Sequence, residues 1–124
     1  MTRTQMNTRE LGTWGENLAA AHLKEHGWGI LARNWRTRGG ELDIVAFDPQ
    51  RQAIVAVEVK TRRSHHAGTP AESVTTEKVR RIKGLLLTWL LEHGTFAAQI
   101  TVDVLAVDVT ISGEPSISHV KDVS

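Results

Sequence analysis

Apolar and polar positions recur along this chain with two different periods, and the switches between them mark its elements. From Thr8 to His26, Leu11, Trp14, Leu18 and Ala21 return at three- and four-residue spacing, which predicts an amphipathic helix stopped by Gly27. Gly12 and Gly15 lower its intrinsic helicity but allow close packing. Trp28 to Trp35 reads as a strand. Thr37 to Gly40 reads as a turn, with Gly39-Gly40 free to take positive φ. Glu41–Phe47 and Ala53–Thr61 form a hairpin around the turn Asp48-Pro49-Gln50-Arg51. The second of these strands is apolar at both parities, as a central strand covered on both faces should be.

Arg63 to Ser73 is a loop. Thr75 or Thr76 caps a second helix that runs to His93 and is closed by Gly94. Val79, Ile82, Leu85, Leu86, Trp89 and Leu90 form its buried face. Ala98–Val109 is another central strand, and Ser116–Val120 a short edge strand. The order α-β-β-β-α-β-β predicts an α/β fold, a mixed central sheet flanked by helices.

Composition narrows the function classes. The 124 residues suit one domain spanning 1–124, with residues 1–7 as a disordered tail. Forty per cent hydrophobic and 23% charged residues exclude global disorder. No cysteine is present, which removes disulfides, thiolate metal sites and a nucleophilic thiol. The start of the chain lacks the apolar run of a secretory signal, and no stretch is long enough to span a bilayer, so a cytoplasmic protein without a membrane partner is expected. Net charge is only +1, but residues 60–83 carry seven basic side chains against two acidic ones, a local field that suits phosphates.

The hairpin contains charges where a central strand should have none. They lie in Gly40-Glu41-Leu42-Asp43-Ile44 and Val57-Glu58-Val59-Lys60, and burying them costs energy unless they pair or bind a metal. Strand alternation puts Glu41 and Asp43 on one face, and Glu58 and Lys60 on one face. If Asp48 pairs with Arg51, Glu41 lies opposite Glu58 and Asp43 is its diagonal neighbour; a slip of two residues sets Asp43 directly opposite Glu58. An odd register would separate them. Crowded carboxylates call for a hard divalent cation, bound by Asp43, Glu58 and a backbone carbonyl, that of Val59. Lys60 at the rim would orient or deprotonate the attacking water and offset charge on the phosphate, which is the chemistry of phosphodiester hydrolysis.

Asp43 followed by Glu58-Val59-Lys60 resembles the PD-(D/E)xK nuclease signature. The wider context is more specific. Gly15-Glu16 with Ala19 and Leu23, Gly27-Trp28, Arg33-Asn34, Gly40-Glu41-Leu42-Asp43, Val57 to Arg62, Gly68-Thr69-Pro70, Lys78, Arg81-Ile82 and Asp103-Val104 follow in order. Together they resemble the YraN-type family of small bacterial endonuclease-like proteins, similar in turn to archaeal Holliday-junction resolvases. The resemblance implies a restriction-endonuclease-like core, Mg2+ or Mn2+ held by Asp43 and Glu58, a catalytic Lys60, an auxiliary acid at Glu16, and DNA, branched or single-stranded, as substrate. A nuclease-fold binding module without turnover is the alternative.

Other residues have plainer readings. Glu41 fits a structural role, holding Arg38 or the turn, better than a second metal. His65-His66 suits a solvated loop. Arg62, Lys78 and Arg81 are candidates for phosphate contacts. The tryptophans belong to the core, and Asp103 supports the sheet or a basic neighbour. Symmetric cutting of a junction would require a homodimer.

Overall fold

The computed structural model of the protein describes residues 6–63, 74–110 and 113–123. The elements are α1 (Thr8–Glu25), β1 (Gly29–Thr37), β2 (Gly40–Asp48), β3 (Ala53–Arg62), α2 (Thr76–Glu92), β4 (Gln99–Val109) and β5 (Pro115–Val120). They follow the order that the hydrophobic pattern predicts. The five strands form one sheet in the order β1-β2-β3-β4-β5. β3 and β4 run parallel, and the other neighbours are antiparallel. A parallel pair needs a crossover, and α2 supplies it.

The two helices cover opposite faces. Leu23, Ala19 and Ala20 of α1 pack with Val55, Val57, Leu105 and Val107. Val79, Ile82, Leu86 and Trp89 of α2 pack with Ile54, Ala56, Val102 and Val104. Successive strand residues therefore feed two cores, which explains the apolar residues at both parities of β3 and β4. Each buried Val, Ile or Leu among them contributes about 1.5–3 kcal/mol.

The helix ends are set by local chemistry. Asn7, which the sequence assigns to a tail, is the N-cap of α1; its side chain accepts from the Glu10 amide at 2.8 Å while the Glu10 carboxylate accepts from the Asn7 amide at 3.1 Å. Such a box is worth about 1 kcal/mol. Thr75 caps α2 through the Lys78 amide at 3.1 Å. Trp28 lies before β1 rather than in it, buried in the α1-side core, with its amide bonded to the Leu23 carbonyl at 3.0 Å. Thr37 and Gly40, expected in the turn, pair as the last rung of the β1–β2 ladder, so the turn is Arg38-Gly39 alone. Gly40 has φ 144°, a conformation that needs glycine.

Candidate active site

The β2–β3 register decides whether the carboxylates meet. Asp48 pairs with Ala53, and the ladder runs through Val45↔Ala56 to Ile44↔Val57. Continued one step, this register sets Asp43 opposite Glu58, so the arrangement with Asp48 opposite Arg51 does not form. Arg51 is drawn elsewhere. Its Nε donates to Asp48 at 2.5 Å and its Nη2 to Asp103 at 2.6 Å. The ladder ends at Asp48↔Ala53, so the loop is Pro49–Gln52, with Gln52 in the left-handed conformation (φ 52°).

Asp43 itself leaves the strand alternation. Leu42 packs with Val45 in the α2-side core, whereas Ile44 packs with Ala46 in the α1-side core. Residues 42 and 44 would share a face in an uninterrupted strand. Across the ladder the same step occurs at Asn34, whose φ is 50°. The flanking pairs Arg33↔Ile44 and Trp35↔Leu42 place Asn34 opposite Asp43. Asparagine tolerates the left-handed conformation better than most residues. Both strands thus exchange faces together, and Asp43 is turned toward β3. Its Oδ2 accepts the Val59 amide at 2.9 Å, just beyond the end of the backbone ladder.

Glu41 lies two residues before Asp43 in β2. It stays exposed and pairs with Arg36 at 3.3 Å, a structural role with a different arginine from the expected Arg38. Its charge still reaches Asp43 and Glu58.

Glu58 is 8% exposed. Burial, then the neighbouring Asp43 charge, pushes its carboxyl up to about 7. Asp43 is raised by burial too, against the Val59 amide that favours its charged form. Lys78, from the first turn of α2, brings its Nζ to 3.8 Å from Glu58 Oε2. Burial and the adjacent Lys78 ammonium lower the Lys60 pKa. Two lysines so close together are tolerable only because the carboxylates lie beside them.

Helix α1 closes the site from the other side. A Cβ on Gly15 would lie 1.8 Å from Thr61 Oγ1, so the helix backbone rests directly on β3. That approach carries Glu16 toward Asp43. Glu16 Oε1 is buried without a hydrogen-bond partner. Burial and Asp43 raise its pKa. An orphaned carboxylate oxygen beside two others fits a site that takes a cation or a proton. Among the described residues no three acidic or histidine side chains converge on one point. An ion here would therefore take Asp43, Glu58, the Val59 carbonyl and water, with Glu16 next to that set.

Arg62 has another occupation. Its guanidinium donates to Asp108 at 2.7 and 3.1 Å, across the β3–β4 pair. Lys78 is at the site, and Arg81 is exposed one helical turn further along α2. His65-His66 and Gly68-Thr69-Pro70 lie outside the described residues. Asp103 supports basic neighbours, as its position in β4 suggests: Arg51, and His119 at 2.8 Å. Sequence reasoning assigns no role to Asn34 and misses Lys78 as the partner of Glu58. An asparagine inside a strand, where it fits poorly, is the signal for the first.

A profile of the uncharacterised protein family UPF0102 matches residues 15–107. The chain belongs to that family. This is the YraN-type family that the motifs resemble. A UPF0102 protein of Nocardia farcinica is 50% identical over 113 residues, covering 91% of this chain and 87% of that protein. One from Mycolicibacterium smegmatis is 44% identical over 123 residues, covering 99% of each. The solved structure of Pyrococcus furiosus SfsA in complex with Ca2+ aligns with 94% of this UPF0102 chain and 64% of its own, at 16% identity and a TM-score of 0.42. That likeness is too low to inform the site. Among the described residues no helix is long and apolar enough to cross a membrane.

Proposed function

We propose that this UPF0102 protein hydrolyses phosphodiester bonds in DNA with Mg2+ or Mn2+, selecting substrates by structure. The observation that carries this reading is the β2–β3 register, which sets the half-buried Asp43 opposite the buried Glu58 on the strand that also carries Lys60, with the half-buried Glu16 of α1 near Asp43. Asp43, Glu58 and the Val59 carbonyl would hold the ion. A divalent cation there polarises a phosphate oxygen and acidifies a bound water. Asp43 is fixed for that role by the Val59 amide. Lys60, whose pKa is lowered by burial and the neighbouring Lys78, can orient the attacking water and offset charge growing on the phosphate. Glu16 offers a free carboxylate oxygen to the same water. Lys78 and Arg81 lie along the first turns of α2, where they can bind flanking phosphates.

The test is to incubate the purified protein with flaps, forks, four-way junctions and single strands, each with Mg2+ or Mn2+, beside Lys60→Ala. Cleavage that needs the metal and Lys60 is expected. Binding without cleavage under every condition would favour a nuclease-fold binding module instead.

A further inference from the structure

A groove of about 560 Å3 runs between the first turns of α1 and the edge strand β1. Arg9, Arg33 and Arg36 line it, and Glu16 sits in its wall. It therefore reaches Glu16, whose charge is coupled to that of Asp43, and Asn34, which stands opposite Asp43.

Three arginines face one carboxylate in this groove: Glu16 feels the charges of Arg33 and Arg36 but forms no ion pair with either. Arg33 Nη2 donates to Asn17 Oδ1 at 2.7 Å, which orients the guanidinium without cancelling its charge. Among the described residues neither Arg9 nor Arg33 makes an ion pair. Arg36 is 76% exposed and holds only the exposed Glu41, a contact worth little and readily exchanged for a phosphate. Elsewhere in the molecule, Arg51 and Arg62 are locked to buried aspartates. The helix wall is open at Gly12, where an added Cβ would meet nothing within 4 Å.

We propose that this groove is a channel for a single DNA strand, with Arg33 and Arg9 holding phosphates that flank the one presented to Asp43 and Glu58, and Arg36 joining when it releases Glu41. No aromatic ring lines the groove, so it grips backbone rather than stacking bases, and binding is indifferent to sequence. The direction toward the site rests on the phosphodiesterase reading; the binding itself does not.

The test measures fluorescence anisotropy of a labelled single strand of about 20 nucleotides, across a salt series and without metal. An Arg9→Ala/Arg33→Ala double variant should bind at least tenfold more weakly, with its salt slope reduced by about 1.4, at about 0.7 per lost phosphate contact. Gly12→Gln fills the groove and leaves the arginines in place. It should keep or raise the melting temperature, since glycine is the poorer helix former, keep the melting response to Mn2+, and lose affinity similarly. Unchanged affinity and slope in both variants would overturn the proposal, as would a wild type that fails to bind the strand at low salt. A wild type blind to Mn2+ whose groove variants still lose affinity would overturn the active-site reading and leave the channel standing.

Discussion

Asn34 and Asp43 stand opposite each other at the one step where β1 and β2 exchange faces, and the left-handed Asn34 (φ 50°) accompanies an Asp43 turned onto the Val59 amide. That amide is satisfied by a carboxylate whose charge is otherwise unwelcome, because burial and Glu41 both oppose it.

Asp43→Asn keeps an oxygen for the Val59 amide while removing the charge. Without metal the variant should melt at the wild-type temperature or above it, in keeping with functional groups that are held at a cost in stability. Millimolar Mn2+ should raise the wild-type melting temperature and leave the variant unmoved. A variant that melts several degrees lower, beside a wild type indifferent to Mn2+, would make Asp43 purely structural.

The pH dependence follows from Glu58. Its carboxyl stands at about 7 in the folded chain against 4.5 for the free group. Between those values the folded state binds more protons than the unfolded one, so stability falls as pH rises from about 4.5 to 7. Asp43 and Glu16 are also raised and add to the same trend. The full shift of Glu58 corresponds to about 3 kcal/mol. Glu58→Gln should flatten the decline and melt higher than wild type at pH 8. Mn2+ should oppose the decline in the wild type, because it binds the deprotonated carboxylates. Melting curves at several pH values test this, and an apo protein that gains stability toward pH 7 would contradict it.

Arg51 joins Asp48 and Asp103, both fully buried. Arg51→Ala leaves two interior carboxylates without their guanidinium, a loss of about 3–5 kcal/mol. Asp103, now held down to about 2 chiefly by His119 and Arg51 against its burial, should titrate higher in the variant. Its deficit against wild type should therefore shrink as pH falls and the carboxylates protonate. Urea denaturation at pH 7 and pH 4 would show the change; an equal deficit at both values would mean that charge is not the cause.

Gly15→Ala drives a methyl into Thr61 Oγ1, whose position lies 1.8 Å from the added carbon. Overpacking of this kind costs about 1–3 kcal/mol. Thr61→Ala in the same chain should recover part of the loss, since the Thr61 Cβ still lies 2.9 Å from the added atom. The single variant should also weaken the Mn2+ response, because the displaced helix carries Glu16. A stable Gly15→Ala chain with normal metal response would mean that α1 is not held by this contact.

The sequence by itself determined the elements, their order, the two-sided core and the family. These rest on periodicity and on local signals, such as the apolar stripe of α2, the Thr75 cap and the spacing from Asp43 to Lys60. It also showed that only an even register could unite Asp43 with Glu58. Tertiary structure chose between the even registers, closing the ladder at Asp48↔Ala53, and it brought Arg51 to Asp103, 52 residues away, a partnership no local pattern carries. It likewise turned Asp43 out of the strand alternation opposite Asn34, gave Arg62 to Asp108, and let Gly15 press α1 onto Thr61 so that Glu16 reached the site. Side-chain period is a property of each strand alone, whereas burial of a charge depends on which distant groups arrive to meet it.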